Sequence, residues 1–195
     1  MVADTITTNG AAIRVVKTGR KLDVGAGAKH DADFETMDIS PVHSPNFVHD
    51  ITQIPWPFED GTFDEVRCHH VLEHLPSVTY VFHEAWDRTR DGAHIPAFIE
   101  PRNTLIDVMN EMHRILKAGG TANIEVPVFP YWTAIADPTH RQFFVPQTFW
   151  YFCRGSFQGS SYAEQRELYG VKEWKLSAMS KYGLGEIIRV ELTKP

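Results

Sequence analysis

The alternation of apolar and polar positions predicts a series of short strands in the first third of the chain. Apolar-rich runs bounded by turn residues indicate strands at about residues 21–24, 34–39, 46–49 and 63–68. Only about nine residues separate the first two runs, whereas a crossover between parallel strands usually takes a dozen or more. We therefore expect at most a turn of helix between these strands.

The pattern changes to helical spacing further along the chain. Apolar side chains recur every three to four residues over 105–116, with Asn103 as the predicted N-cap and Gly119 as the predicted end of the helix. A shorter helix is expected at 70–75, before Pro76. The aromatic run at 143–152 is interpreted as core.

The remaining segments complete a predicted fold. Residues 77–102 are interpreted as an insertion with a turn at Asp91-Gly92, and a fifth strand is expected at 121–126. The last two apolar runs, at 172–179 and 186–192, predict an antiparallel hairpin. The fold class is therefore α/β, with a mostly parallel Rossmann-like sheet, an antiparallel C-terminal hairpin and shortened helices on one face.

Length and charge narrow the class of protein. The 195 residues predict a single domain over 1–195, and the net charge of −6 disfavours a nucleic acid partner. Two cysteines fit a reducing compartment, and neither a signal peptide nor a run long enough to span a membrane is found. We expect a cytoplasmic protein, and the sequence leaves its oligomeric state open.

A glycine loop follows the first strand. Asp23 stands at the strand end, and Gly25 and Gly27 follow it with Ala26 between them. Glycines at such a turn let the backbone approach a ligand closely. The dinucleotide fingerprint would need a third glycine at the position of His30.

In order and spacing, five segments resemble the class I S-adenosylmethionine (SAM) methyltransferases. Residues 22–27 resemble motif I, with Lys29 where many members have a third glycine. Asp38 resembles the motif II acid, and Asp50-Ile51 resembles motif III. Residues 57–75 resemble motif IV and its helix, and 110–120 resemble the segment before strand five. A compact branch with an Asp-Pro-Thr-His segment, here residues 137–140, is the most similar.

The resemblance implies SAM as the cofactor. Asp38 would accept hydrogen bonds from the ribose hydroxyls and Asp50 from the adenine amine. The residues expected to bind the cofactor are Asp23, Gly25, Ala26, Gly27, Asp38, Ile39, Asp50, Ile51 and His69.

The catalytic residues predicted from the sequence are His140 and His70. Histidine has an ordinary pKa suited to accepting a hydroxyl proton at neutral pH, and His140 lies in a polar loop on the expected substrate side. The predicted reaction is methyl transfer to a hydroxyl or other polar group. The predicted acceptor is a glycan, such as a sugar, or a small metabolite.

Three alternatives stay open at this stage. The pattern His70-x-x-Glu73-His74 is similar to that of some zinc proteases. We interpret Glu73 and His74 instead as residues that hold the helix against its neighbours, and predict no metal, although a metal near these two residues is the open alternative. In function, a non-catalytic module that senses SAM or a nucleotide is the second hypothesis. An NAD-linked oxidoreductase is the third, and it is weakened because the third glycine is missing.

Overall fold

A computed structural model describes residues 19–88, 94–154, 162–183 and 185–195. The turn predicted at Asp91-Gly92 lies outside these residues. The strands are β1 Lys21–Val24, β2 Glu35–Asp38, β3 Phe47–Val48, β4 Phe63–His69, β5 Val78–Arg88, β6 His94–Asn103, β7 Leu116–Pro127, β8 Lys175–Tyr182 and β9 Ile187–Thr193. The α-helices are α1 Thr104–Ile115, α2 Trp132–Ile135, α3 Pro146–Trp150 and α4 Ala163–Leu168, and 3₁₀ turns cover Pro41–His43 and Leu72–His74.

Seven strands form one sheet in the order β3-β2-β1-β4-β7-β9-β8. The first five of these pair in parallel, and β9 runs antiparallel to both of its neighbours. The predicted fold class is therefore confirmed. This topology brings the carboxyl ends of β1, β2, β4 and β7 to one edge of the sheet, where open α/β sheets bind ligands.

The connections in the first half of the chain contain almost no helix, as their lengths predict. A 3₁₀ turn lies between β2 and β3, and an irregular loop leads to β4. In that loop Trp56 is 2% exposed, and its indole N–H donates to the carbonyl of Ile51 at 2.9 Å. A buried tryptophan thus covers surface that a crossover helix would otherwise bury.

The helix α1 begins where it was predicted and ends earlier. The Asn103 side chain accepts from the N–H of Ile106 at 3.1 Å, which confirms the N-cap. The predicted end at Gly119 is wrong. The chain turns into β7 at Leu116, which is fully buried and pairs with Phe63, and Gly119 instead adopts a φ of +75° in an irregular part of β7.

The helix expected at 70–75 is not formed, so this prediction is wrong. His70 has a φ of +56°, and only a 3₁₀ turn follows at Leu72–His74. Tertiary contacts decide this, because the carbonyl of Glu73 accepts from the backbone N–H groups of Arg141 and Gln142 at 2.7 and 3.0 Å. That carbonyl is therefore used across the structure rather than along a helix.

The segment interpreted as an insertion is a two-stranded antiparallel hairpin. The strands β5 and β6 pair with each other, with Val78 opposite Asn103, and form a sheet separate from the main one. At its base, Val78 and Tyr80 are exposed. The hairpin leads directly into α1, so it enters and leaves the main fold at one place.

The aromatic run at 143–152 contributes to the core, as predicted. Phe144, Phe149 and Phe152 are at most 2% exposed, and Phe144 stacks on Phe149 at 5.8 Å between ring centres. In the part of the chain that the structure describes, no helix is long and apolar enough to cross a membrane.

The buried carboxylate of Glu111 joins α1 to the helix-poor loop, and it generates a stability prediction. It accepts from the backbone N–H of Trp56 at 2.9 Å and from both Nε and Nη2 of Arg114. We expect Glu111→Ala to lower the free energy of unfolding by about 1.5–3 kcal/mol, because charged hydrogen bonds to a buried group are lost. Urea denaturation measures this.

The matched control is Asp60→Ala, which removes the exposed partner of the same arginine. Asp60 is 81% exposed in its side chain, so we expect a change within about 0.5 kcal/mol. Equal losses for the two variants would contradict the assigned role of Glu111.

Candidate active site

Two cavities meet at the carboxyl ends of the parallel strands. The first, of about 460 Å³, and the second, of about 520 Å³, share Gly25 and His70 in their walls. The first is also lined by Asp38, Ile39, His49, Asp50, Ile51, Thr52, Val71, His74, Leu75, Pro76 and Arg141. The second is also lined by Asp23, Ala26, Lys29, His30, Asp31, Arg67, His69, Glu125 and Tyr182.

Gly25 permits the close approach of two segments where the cavities meet. Its φ is +69°, which strongly favours glycine, and its N–H donates to the carbonyl of Met37 at 2.7 Å. A Cβ at this position would overlap Cγ2 of Val71 and lie 3.1 Å from its Cγ1. The loop after β1 therefore lies directly against the segment after β4.

The first cavity has two carboxylates at one end. Asp38 accepts from the backbone N–H of Gly27 at 2.9 Å through Oδ2 and from that of Ser40 at 2.8 Å through Oδ1. Asp50 accepts from both the N–H and the hydroxyl of Thr52 through Oδ1 alone. Both acids are thus held in fixed orientations at the wall of the cavity, and each oxygen can accept more than one hydrogen bond.

The second cavity is more polar. Asp23 is 6% exposed and pairs with Arg67 at 2.6 Å, and Arg67 also reaches Asp31 at 3.2 Å. The guanidinium lies 3.9 Å from the ring centre of Phe34, a cation–π contact. Hydrogen bonds and charge from the two aspartates outweigh its burial and raise the pKa of Arg67.

Glu125 is the most densely partnered side chain of this cavity. It accepts from the Tyr182 hydroxyl and from Arg189, both on the C-terminal hairpin. Burial alone would raise the pKa of Glu125, but these two partners lower it, so the carboxylate stays ionised. Burial, together with the hydrogen bond to Glu125, raises the pKa of Tyr182 to about 12.

The two histidines that follow β4 differ in charge. Burial lowers the pKa of His69, whose Nε2 lies 3.4 Å from Oδ1 of Asn123. The carboxylate of Glu73, 3.3 Å from Nδ1 of His70, raises the pKa of that ring. At neutral pH, therefore, His69 is largely neutral, and His70 is the ring that more readily carries a proton.

His140 lies beside the first cavity, behind His74, and lines neither cavity. Its Nδ1 is 3.0 Å from the carbonyl of Ala134, and its ring contacts that of His74 edge to face at 4.8 Å between centres. Asp137, which could orient the other nitrogen, lies 3.9 Å from Nε2 and accepts instead from Thr139.

The residues predicted to bind the cofactor divide between the two cavities. Gly27 lines neither cavity, but its N–H holds Asp38. Of the others, those at the first cavity are Gly25, Asp38, Ile39, Asp50 and Ile51, and those at the second are Asp23, Gly25, Ala26 and His69.

Sequence reasoning missed several residues of the second cavity. Arg67 lies between the buried Val66 and Cys68, and Glu125 between the buried Ile124 and Val126. A charged residue between two apolar ones was the available signal. Tyr182 comes from the distant C-terminal hairpin, and no local pattern connects it to the cavity.

Comparisons with known proteins agree with this geometry. A family model described as a methyltransferase domain matches residues 27–97. No curated protein is similar enough in sequence to match the chain.

Among solved structures, a protein of Pyrococcus horikoshii is 15% identical, with a TM-score of 0.53 over 93% of this chain and 84% of that one. A SAM-dependent methyltransferase of Thermotoga maritima is 14% identical, with a TM-score of 0.50 over 93% of this chain and 84% of that one. The N-methyltransferase NodS of Bradyrhizobium japonicum, crystallised with S-adenosyl-L-homocysteine, is 12% identical, with a TM-score of 0.50 over 91% and 79%. At these identities the structures establish the fold.

The sheet has the topology of the Rossmann-like class, and its two cavities lie at the strand ends, where such sheets bind ligands. Residues 27–97 match a methyltransferase domain, which agrees with the resemblance to class I SAM-dependent methyltransferases and with SAM as the cofactor. The fold class and the resemblance predicted from the sequence are confirmed.

The two loop glycines offer a matched test of the cavity geometry. Both have positive φ, but a Cβ at Gly27 meets nothing within 4 Å, whereas one at Gly25 overlaps Val71. We expect Gly25→Ala to weaken binding of S-adenosylhomocysteine by about 5- to 150-fold, which corresponds to the roughly 1–3 kcal/mol that overpacking usually costs. Gly27→Ala should weaken it less than about fivefold. Titration calorimetry measures both.

Adding Val71→Ala to Gly25→Ala should restore most of the lost affinity, because it removes the overlap. Equal losses at the two glycines, or no recovery in the double variant, would mean that contact with Val71 does not shape the cavity.

Proposed function

We propose that the protein transfers the methyl group of SAM to a hydroxyl group of a small polar acceptor, such as a sugar. The observation that carries this proposal is the junction of two unlike cavities at Gly25 and His70. One offers carboxylates suited to a nucleoside, and the other is lined largely by charged and hydrogen-bonding side chains.

The residues of the first cavity fit the adenosine half of SAM. Asp38 is oriented by two backbone N–H groups and can still accept from ribose hydroxyls, while Oδ2 of Asp50 is available for the adenine amine. The apolar side chains of Ile39 and Ile51 form part of the wall of the first cavity. When bound, SAM supplies an electrophilic methyl group on a cationic sulfonium, which nearby carboxylates favour.

The second cavity is proposed to hold the polar end of the cofactor and the acceptor. Asp23 and Arg67 neutralise each other, and so present both a hydrogen-bond acceptor and a donor without net charge. Glu125, Tyr182 and His69 also line this cavity and can hydrogen-bond to hydroxyl groups. Such a cavity suits a polyhydroxylated molecule better than an apolar one.

His69 is the proposed general base. If Nε2–H donates to Asn123, then Nδ1 keeps the lone pair, and the lowered pKa keeps the ring neutral at pH 7. His69 would take the hydroxyl proton as the acceptor oxygen gains the methyl group. The sequence predicted His140 for this role, but the geometry favours His69, since His140 lines neither cavity.

The proposal is tested by incubating the protein with SAM carrying a labelled methyl group and matched panels of sugars, amines and thiols. Labelled product from a hydroxylated acceptor, together with S-adenosylhomocysteine in equal amount, supports it. Product only from amines or thiols would overturn the acceptor class. Tight SAM binding with no product from any panel would favour the sensing module instead.

Asp38 carries a quantitative prediction for cofactor binding. We expect Asp38→Asn to weaken SAM binding by about 1–3 kcal/mol, because the charged acceptor is lost while the side-chain shape is kept. The control on the same strand is Glu35→Gln, whose carboxylate pairs with Arg20 away from the cavity and should leave affinity unchanged. Calorimetry that shows the reverse order would move the ribose-binding role to Glu35.

The pH dependence of turnover distinguishes the two histidines after β4. A base must be deprotonated, and burial places the pKa of His69 below its ordinary value of 6.5. The rate should therefore be level through neutral pH and fall only as the pH drops below about 6.5. If His70 were the base, its raised pKa would make the rate begin to fall at a higher pH.

Substitution of His69 should agree with the pH dependence of turnover. We expect His69→Gln to lower turnover by about 10²–10⁴-fold with SAM affinity retained. The exposed His43, which lines neither cavity, provides the control as His43→Gln and should change turnover less than twofold. Unchanged turnover in His69→Gln would exclude His69 as the base.

A further inference from the structure

Three potential metal ligands converge at the wall of the first cavity. One oxygen of Glu73 and one nitrogen each of His74 and His140 all lie within 4.8 Å of one another. Glu73 and His74 come from the 3₁₀ turn after β4, and His140 comes from the loop after α2. His74 also lines the first cavity, so the cluster lies at its edge.

The carboxylate of Glu73 has an oxygen without a hydrogen-bond partner among the described residues. Glu73 is 1% exposed, and Oε1 lies 3.3 Å from Nδ1 of His70, but Oε2 has no partner. An oxygen buried in this way costs free energy unless something compensates it. A cation bound beside it would supply that compensation.

Both histidine rings in the cluster are held through Nδ1. The carbonyl of Ala134 can only accept, so the Nδ1 of His140 that lies 3.0 Å from it carries the hydrogen. The hydroxyl of Thr139 donates to Asp137 and therefore accepts from Nδ1 of His74 at 3.0 Å. In each ring, Nε2 keeps its lone pair, and ligating histidines are held by such outer partners.

The backbone fixes the two segments to each other. The N–H groups of Arg141 and Gln142 both donate to the carbonyl of Glu73, and the amide of Gln142 approaches the carbonyls of Leu75 and Pro76 at 3.4 Å. The loop that carries His140 is thus tied to the turn that carries the other two ligands.

We propose that Glu73, His74 and His140 bind a divalent transition-metal ion, with Zn²⁺ the best match. Two imidazoles and one carboxylate form a ligand set found at catalytic zinc sites, which keep a fourth position open. Bonds of about 2.0–2.2 Å to a tetrahedral ion place ligand atoms about 3.4 Å apart. The three ligand atoms lie within 4.8 Å of one another, so binding draws them together by at most about 1.4 Å. Binding itself does not depend on the proposed function, although use of the ion to hold an acceptor oxygen would.

The full-length protein, stripped with a chelator, is titrated with Zn²⁺ in a calorimeter and separately with Co²⁺ while its visible absorption is recorded. We expect one equivalent of each, and a cobalt spectrum with d–d bands but no thiolate charge-transfer band. Absence of binding, or a thiolate band, would overturn the proposal, the latter by placing the ion on Cys68 or Cys153. These measurements use the unaltered chain, so they decide the question even if a ligand variant does not fold.

Substitutions of single residues test whether Glu73 and His140 bind the ion. We expect His140→Gln and Glu73→Gln to weaken Zn²⁺ binding by about 100-fold or more, and the exposed-site control His43→Gln to leave it unchanged. Zn²⁺ should raise the melting temperature of the parent and of the control but not that of His140→Gln. Equal affinity in all four proteins would overturn the assignment. Affinity for S-adenosylhomocysteine, measured on the same samples, separates loss of the ion from loss of the cofactor site.

Discussion

The arrangement of the site depends on the close contact between Gly25 and Val71. The positive φ of Gly25 and its hydrogen bond to Met37 hold the loop after β1 across the end of β2, and the missing Cβ leaves room for Val71. With this contact, the two cavities share one wall. A side chain at position 25 would separate the loop from the segment after β4, which carries His70 and leads to Glu73.

Around this contact the structure distributes charge unevenly. Near the second cavity, Arg67 neutralises Asp23, and Tyr182 and Arg189 keep Glu125 ionised. Near the first cavity, Glu73 raises the pKa of His70, and one of its own oxygens has no hydrogen-bond partner among the residues that the structure describes. The result is a neutral ring at His69 and, next to it in sequence, a ring at His70 that protonates more readily.

The sequence predicted the elements whose signals are local. The strands of the main sheet, the N-cap at Asn103 and the sheet class followed from periodicity, capping chemistry and connection lengths, whereas the strands β5 and β6 of the insertion were not predicted. The helix expected at 70–75 did not form, because the carbonyl of Glu73 bonds to the distant backbone of Arg141 and Gln142. Gly119 similarly marks an irregular strand rather than a helix end, since the burial of Leu116 draws the chain into β7 first.

The same distinction explains what was predicted of the site. Asp38 is the last residue of β2 and the loop glycines follow β1, so their placement could be predicted from the sequence. Contacts made by Tyr182 and His140 depend on tertiary approach, which no local pattern encodes.

A crystal structure of the complex with S-adenosylhomocysteine tests the central claim most directly. The account predicts the adenosine in the first cavity, with the ribose hydroxyls on Asp38 and the sulfur beside Gly25 and His70. Adenosine bound in the second cavity, or a ligand that does not contact Asp38, would contradict it.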